Sequence, residues 1–116
     1  MPRRKLDPLP ATAFQILLAL ADGDLHGYGI MRRVEEQTNG RTRLGPGTLY
    51  GSIQAILEEG FIEEVDRGPD QEGGDERRRY YRLTSSGRKL ARSEADRLAD
   101  VLRVARARNI FRGEYV

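Results

Sequence analysis

The chain has 116 residues, 38% of them hydrophobic and 33% charged, with no Cys, no Trp, one His and a formal net charge of +2. That profile fits one small domain with a modest apolar core, excludes disulfide scaffolds, thiolate metal sites and cysteine nucleophiles, and argues against a His-rich metal site or a protease-like relay. The small net charge hides opposing blocks, with basic and acidic residues numbering 7 and 5 over residues 1–57, 1 and 9 over 58–76, and 12 and 4 over 77–116.

Residues 1–10 form a basic, Pro-rich arm in which Met1-Pro2-Arg3-Arg4-Lys5 leads into Leu6-Asp7-Pro8-Leu9-Pro10. No apolar signal core follows those basic residues, and the longest apolar run, Ile16 to Ala21, is too short to span a membrane. A soluble, cytoplasmic protein is expected, with no membrane partner. Apolar residues Phe14, Ile16, Leu17, Leu18, Leu20 and Ala21 recur at helical spacing, so a first helix is expected over 11–21, stopped by Asp22-Gly23. Asp24 is the expected N-cap of a second helix that runs to Thr38, with Ile30, Met31 and Val34 inward and Asn39-Gly40 as its stop.

The third helix has the clearest start, with Gly45 as N-cap and Pro46 at the first helical position, where no N–H is needed. Leu49, Ile53, Ile56 and Leu57 fall within a sector of about 100°. Opposite them stand Gly47, Gly51, Gln54 and Ala55, flanked by Thr48 and Tyr50, with no carboxylate before Glu58. That small, neutral face suits close approach to another surface. Phe61–Val65 and Arg77–Leu83 then read as strands of a β-hairpin around the polar loop Gly68–Asp75. Thr84 caps a long final helix through Phe111, about 40 Å long and striped with Leu90, Ala91, Leu98, Val101, Leu102, Ala105 and Ile110.

Helix, helix, helix, hairpin, helix is the order of a winged helix-turn-helix, here with a long C-terminal dimerisation helix; the fold class is mainly α with a small β-hairpin. The expected division is arm 1–10, DNA-binding domain 11–83 and dimerisation helix 84–116. In that architecture the third helix enters the major groove and the wing follows the backbone. Gly47 and Gly51 let the helix backbone approach, Thr48, Tyr50, Ser52 and Gln54 offer hydrogen bonds, and Arg77, Arg78 and Arg79 supply charge for phosphates. Carboxylates Asp70, Glu72, Asp75 and Glu76 at the wing tip would repel phosphate, so the tip is expected to stay off the DNA. The final helix is too long for the preceding residues to cover, and a second copy of the chain in a two-fold dimer is the expected cover for Leu90, Leu98, Val101, Leu102 and Ala105. Such a dimer predicts a palindromic operator with half-sites about ten base pairs, or a multiple, apart.

Four segments together resemble the PadR family of bacterial transcriptional regulators: His26-Gly27-Tyr28, Pro46-Gly47-Thr48-Leu49-Tyr50, Glu59-Gly60-Phe61-Ile62, and Arg78-Arg79-Tyr80-Tyr81-Arg82-Leu83-Thr84-Ser85-Ser86-Gly87. The resemblance implies a homodimeric winged-helix repressor of the smaller subfamily, with a single C-terminal helix as dimerisation element. Some members bind aromatic or cationic compounds in the dimer pore, so it also implies an aromatic or hydrophobic small-molecule effector. Gly45 stands where family members commonly have Ser, and Gly51 where they have Pro.

Each site has a plainer alternative. Tyr50 reads as a base or phosphate contact or as a half-buried rim residue beside the wing, and Tyr28 as a phosphate contact or a packing residue. His26 reads as a local cap or packing group, and Phe111 and Tyr115 as effector-pocket lining or dimer core. Arg3, Arg4 and Lys5 read as a DNA-following arm or a basic tail. No nucleotide-binding glycine pattern, metal-ligand spacing or nucleophile–base pair supports an enzyme, and no cofactor is expected. The alternative to a DNA-binding regulator is a winged-helix protein–protein module that uses the acidic segment 58–76.

Overall fold

The computed structural model describes residues 6, 8–69 and 77–110. Its elements in chain order are α1 (Ala11–Ala19), β1 (Leu25–His26), α2 (Gly27–Gln37), α3 (Pro46–Glu58), β2 (Ile62–Pro69), β3 (Arg77–Leu83) and α4 (Ser85–Ala107). The core lies where the first three helices meet the sheet. Ile16, Leu17 and Leu20 from the first helical segment, Ile30 and Val34 from α2, and Leu49, Ile53 and Ile56 from α3 close over Phe61, Ile62 and Tyr81. Leu6 and Leu44 seal its edges from the connecting segments.

Instead of a two-stranded hairpin there is a three-stranded antiparallel sheet in the order β1-β3-β2. Leu25 and His26 pair with Tyr81 and Tyr80, and this pairing overturns the expected start of the second helix. A residue held in the sheet ladder cannot adopt helical dihedrals, so α2 begins only at Gly27. His26 is its N-cap, with Nδ1 accepting a hydrogen bond from the Gly29 N–H at 3.0 Å. Asp24 instead receives a forked pair of hydrogen bonds from Arg82, Nε to Oδ1 at 3.1 Å and Nη2 to Oδ2 at 2.9 Å. β2 starts at Ile62 and continues to Pro69, so Gly68-Pro69, expected in the loop, lie in the strand, with Pro69 opposite Arg77 past an irregularity between Asp66 and Pro69.

Three helices end in one way. Asn39, Gly60 and Asn109 adopt positive φ, and the next N–H in each case returns to a carbonyl five residues back: Gly40 to Glu35, Phe61 to Ile56 and Ile110 to Ala105. Gly and Asn tolerate that left-handed turn best. The final helix therefore stops at Ala107 and not at Phe111, because Asn109 turns the chain.

α4 begins on a joint with the α3–β2 turn. The Thr84 N–H donates to the Phe61 carbonyl at 3.1 Å, while the Thr84 and Ser86 hydroxyls donate to the Gly60 carbonyl at 2.7 and 3.1 Å. Thr84 Oγ1 also accepts from the Gly87 N–H at 3.1 Å, capping the helix. Gly87 is buried against the Phe61 carbonyl so closely that no Cβ fits between them. Beyond this joint Leu90 and Ala91 pack on the head's core, and Arg88 donates to the Ala21 carbonyl at 3.2 Å.

Candidate nucleic-acid interface

The interface begins with the sequence of α3. Leu49, Ile53 and Ile56 are buried at the expected spacing, which turns Gly47, Thr48, Tyr50, Gly51 and Gln54 outward. Ser52 and Ala55 are half-buried at the margin of this face. No described residue comes within 4 Å of a Cβ placed on Gly47 or Gly51, so among the described residues the helix backbone is open there. Along one flank runs an open groove of about 320 Å³, bounded by Leu6, Pro10 and Ala13 on one side and by α3 on the other. At the far end of the face Gln54 Nε2 lies 3.4 Å from Glu58 Oε2, a weak hydrogen bond that leaves the amide free to exchange partners.

Tyr50 extends from α3 toward the start of α2. Its ring rests directly on Gly27, where any Cβ would collide with the phenol, and the side chain is 51% exposed. Gly27 is thus a part of the site whose role was not legible: the His-Gly-Tyr motif contains it, but the need for a bare Cα arises only where α2 crosses α3. Tyr28 follows it on α2, 59% exposed, with the Arg32 guanidinium 5.9 Å from the ring centroid. His26 stacks at 6.4 Å on Tyr28 and meets Tyr80 edge-on at 5.2 Å, so the residue that caps α2 also ties it to the wing strand.

Tyr81 connects the core to the wing. Burial raises its phenol above the ordinary value of 10.0, with the Glu64 carboxylate and Tyr50 acting in the same direction and Arg79 against them. The phenol therefore stays protonated and neutral at the rear of the site. One pleat further out on β3, Arg79 projects with its side chain 78% exposed and Nε 3.3 Å from Glu64 Oε2. Strand alternation puts Arg79 on the same face of the sheet as Tyr81, hence on the α3 side of the wing. The structure thus brings Tyr28, Tyr50 and Arg79 to the rim around the bare face of α3. The side chains of Arg77 and Arg78, at the outer end of β3, lie outside the described residues, as do Arg3, Arg4 and Lys5, the tip carboxylates Asp70, Glu72, Asp75 and Glu76, and Phe111 and Tyr115.

The residues assigned to dimerisation divide into two groups. Leu90 is half-buried on the core of its own head, whereas Val101 and Leu102 are about half exposed further along α4, with Leu98 and Ala105 half-buried beside them. Val104 and Ile110 add to the exposed apolar surface. Among the described residues no group of His, Cys, Asp or Glu side chains could hold a metal ion, and no helix is long and apolar enough to cross a membrane.

Three core helices, a three-stranded sheet whose outer hairpin forms a wing, and a bare-faced third helix beside that wing define a winged helix-turn-helix protein. The chain belongs to the PadR-like family of transcriptional regulators, whose family model matches residues 16–93. It is 42% identical over 84 residues to an uncharacterized 37.1 kDa protein in transposon TN4556 of Streptomyces fradiae, an alignment that takes in 72% of this chain and 22% of that protein's length. A PadR family transcription regulator from Clostridium difficile shares the fold at a TM-score of 0.72 and 21% identity, covering 84% of this chain and 97% of the other. Bacillus subtilis PadR in complex with operator DNA superimposes at a TM-score of 0.64 and 23% identity, covering 74% of this chain and 47% of that one.

Proposed function

We propose that this chain is a sequence-specific, DNA-binding transcriptional repressor that works as a homodimer on a palindromic operator. The observation that carries the proposal is the outer face of α3, open among the described residues at Gly47 and Gly51, with exposed Tyr50 on the helix and exposed Arg79 on the wing. A helix with so little side-chain volume can seat its backbone deep in a major groove. In this reading Thr48, Ser52 and Gln54 meet base edges, while Tyr28, Tyr50 and the wing arginines Arg77, Arg78 and Arg79 hold phosphates and sugar edges. The Bacillus subtilis relative solved with operator DNA supports the same partner for this chain.

Dimerisation is assigned to the exposed stretch of α4 around Leu98, Val101, Leu102 and Ala105, which one head does not cover. Leu90 then acts at the root of that helix, from within its own head. Release by an aromatic or hydrophobic small molecule bound between the protomers would require unequal affinity for the DNA-competent and DNA-free dimers. No catalytic role and no cofactor enter this function, and its place is the cytoplasm.

Sequencing genomic DNA retained by the purified protein tests the proposal. A palindromic motif should be enriched, and binding to it should weaken steeply as salt rises. Tyr50→Ala and Arg79→Ala should each weaken binding, the latter with a salt slope lower by about one phosphate contact. Enrichment of no sequence, together with no retention on a DNA resin at low salt, refutes the proposal.

A further inference from the structure

The wing sets carboxylates beside the exposed guanidinium of Arg79. In the β2–β3 register, Glu64 stands opposite Tyr81 and Asp66 opposite Arg79, so both carboxylates share the α3-facing side of the wing with the Arg79 guanidinium. Glu63 pairs with Arg82 on the opposite face. Arg79 and Glu64 are diagonal neighbours on that shared side, with Nε and Oε2 3.3 Å apart. Both remain substantially exposed, the side chains at 78% and 46%.

We propose that Glu64 occupies the Arg79 guanidinium in the DNA-free protein and must yield it to a backbone phosphate on binding, so that this carboxylate weakens the wing's grip on DNA. The inference rests on the DNA-binding reading above and goes beyond it in naming the residue that opposes the contact. A guanidinium that meets a carboxylate oxygen can meet a phosphate oxygen as well, since both are anionic acceptors of its N–H groups. The pair is exposed, with its closest approach at Nε, and belongs to the class of ion pair that contributes little and exchanges readily. Strand register already sets the guanidinium on the α3 side of the wing, and Glu64 is the competitor displaced when DNA arrives. The forked Arg82–Asp24 pair is different. There the carboxylate is only 14% exposed and takes both nitrogens of one guanidinium edge, so that arginine is committed to the fold.

The test uses the full chain and two 30-base-pair duplexes, one of random sequence and one carrying the motif recovered from genomic DNA, at 150 mM salt. Glu64→Gln should tighten binding to both by roughly 1.5- to fivefold, the range spanned by exposed ion pairs. Glu63→Gln makes the same change in net charge on the other face and should have the smaller effect. In an Arg79→Ala background the gain from Glu64→Gln should disappear. Equal effects of the two Gln variants, a gain that persists without Arg79, or weaker binding by Glu64→Gln each overturns the inference while leaving DNA binding intact. If the unmodified chain binds neither duplex, the DNA-binding proposal falls and takes this inference with it.

Discussion

Replacing Gly87 by Ala should lower stability by about 2–3 kcal/mol, although alanine is the better helix former. An ideal Cβ at this position would overlap the Phe61 carbonyl oxygen and lie 2.8 Å from the carbonyl carbon. That carbonyl cannot swing aside freely, because it accepts from the Thr84 N–H at 3.1 Å, and its neighbour Gly60 accepts from the Thr84 and Ser86 hydroxyls. Displacing α4 to make room costs about 1–3 kcal/mol for overpacking, and each hydrogen bond lost from the joint costs about 0.5–1.5 kcal/mol. The propensity gain of Gly to Ala, about 0.8–1.0 kcal/mol, offsets only part of this. With an unfolding entropy of about 2.1 cal/mol/K per residue, the midpoint should fall by about 8–12 °C. Gly51→Ala is the matched control. It lies in the interior of α3 with nothing within 4 Å of the new methyl group, so it should raise the midpoint by about 4 °C. Far-UV circular dichroism melts at one fixed protomer concentration read both variants. A Gly87→Ala protein that melts at or above the wild-type temperature would show that the close approach to Phe61 does not govern stability.

Two further outcomes follow from particular contacts. His26→Ala removes the side-chain N-cap of α2 and should cost about 1 kcal/mol, whereas His26→Asn, which restores a capping acceptor, should recover most of the loss; equal melting of the two variants would refute the capping role. Leu102→Glu places a charge on the exposed apolar surface of α4, so sedimentation should show a shift from dimer to monomer with the head still folded, and an unchanged dimer would place the interface elsewhere.

Local signals in the chain located most elements and the outer face of the third helix. Pro46 behind Gly45, the spacing of Leu49, Ile53 and Ile56, and the Asn39-Gly40 and Gly60 stops are decided by nearest neighbours along one helix, and the fold respects them. Arg77–Leu83 was legible as a strand for the same reason. Asp24 misled because an acidic residue before an apolar-periodic run is a good cap signal, yet its carboxylate is claimed by Arg82, 58 residues away in sequence. The two-residue β1 was hidden because so short a strand has no periodicity to detect; only its pairing with β3 defines it. Asn109 did carry a readable stop, since Asn is second to Gly in the left-handed turn, but the charged helical pattern around it masked the signal.

What the sequence determined by itself was therefore the kind of protein: helices and a wing in winged-helix order, a third helix whose outer face lacks bulk, and a final helix with more apolar surface than one head can cover. Periodicity, caps and turn residues act over a few positions, and they are written in the chain. The tertiary structure decided which of those residues meet. It laid Tyr50 on Gly27, closed Gly87 over the Phe61 carbonyl, committed Arg82 to Asp24 and set Glu64 beside Arg79. Those pairings join residues far apart in the chain, and they come into being only when packing of the common core fixes the distances between elements.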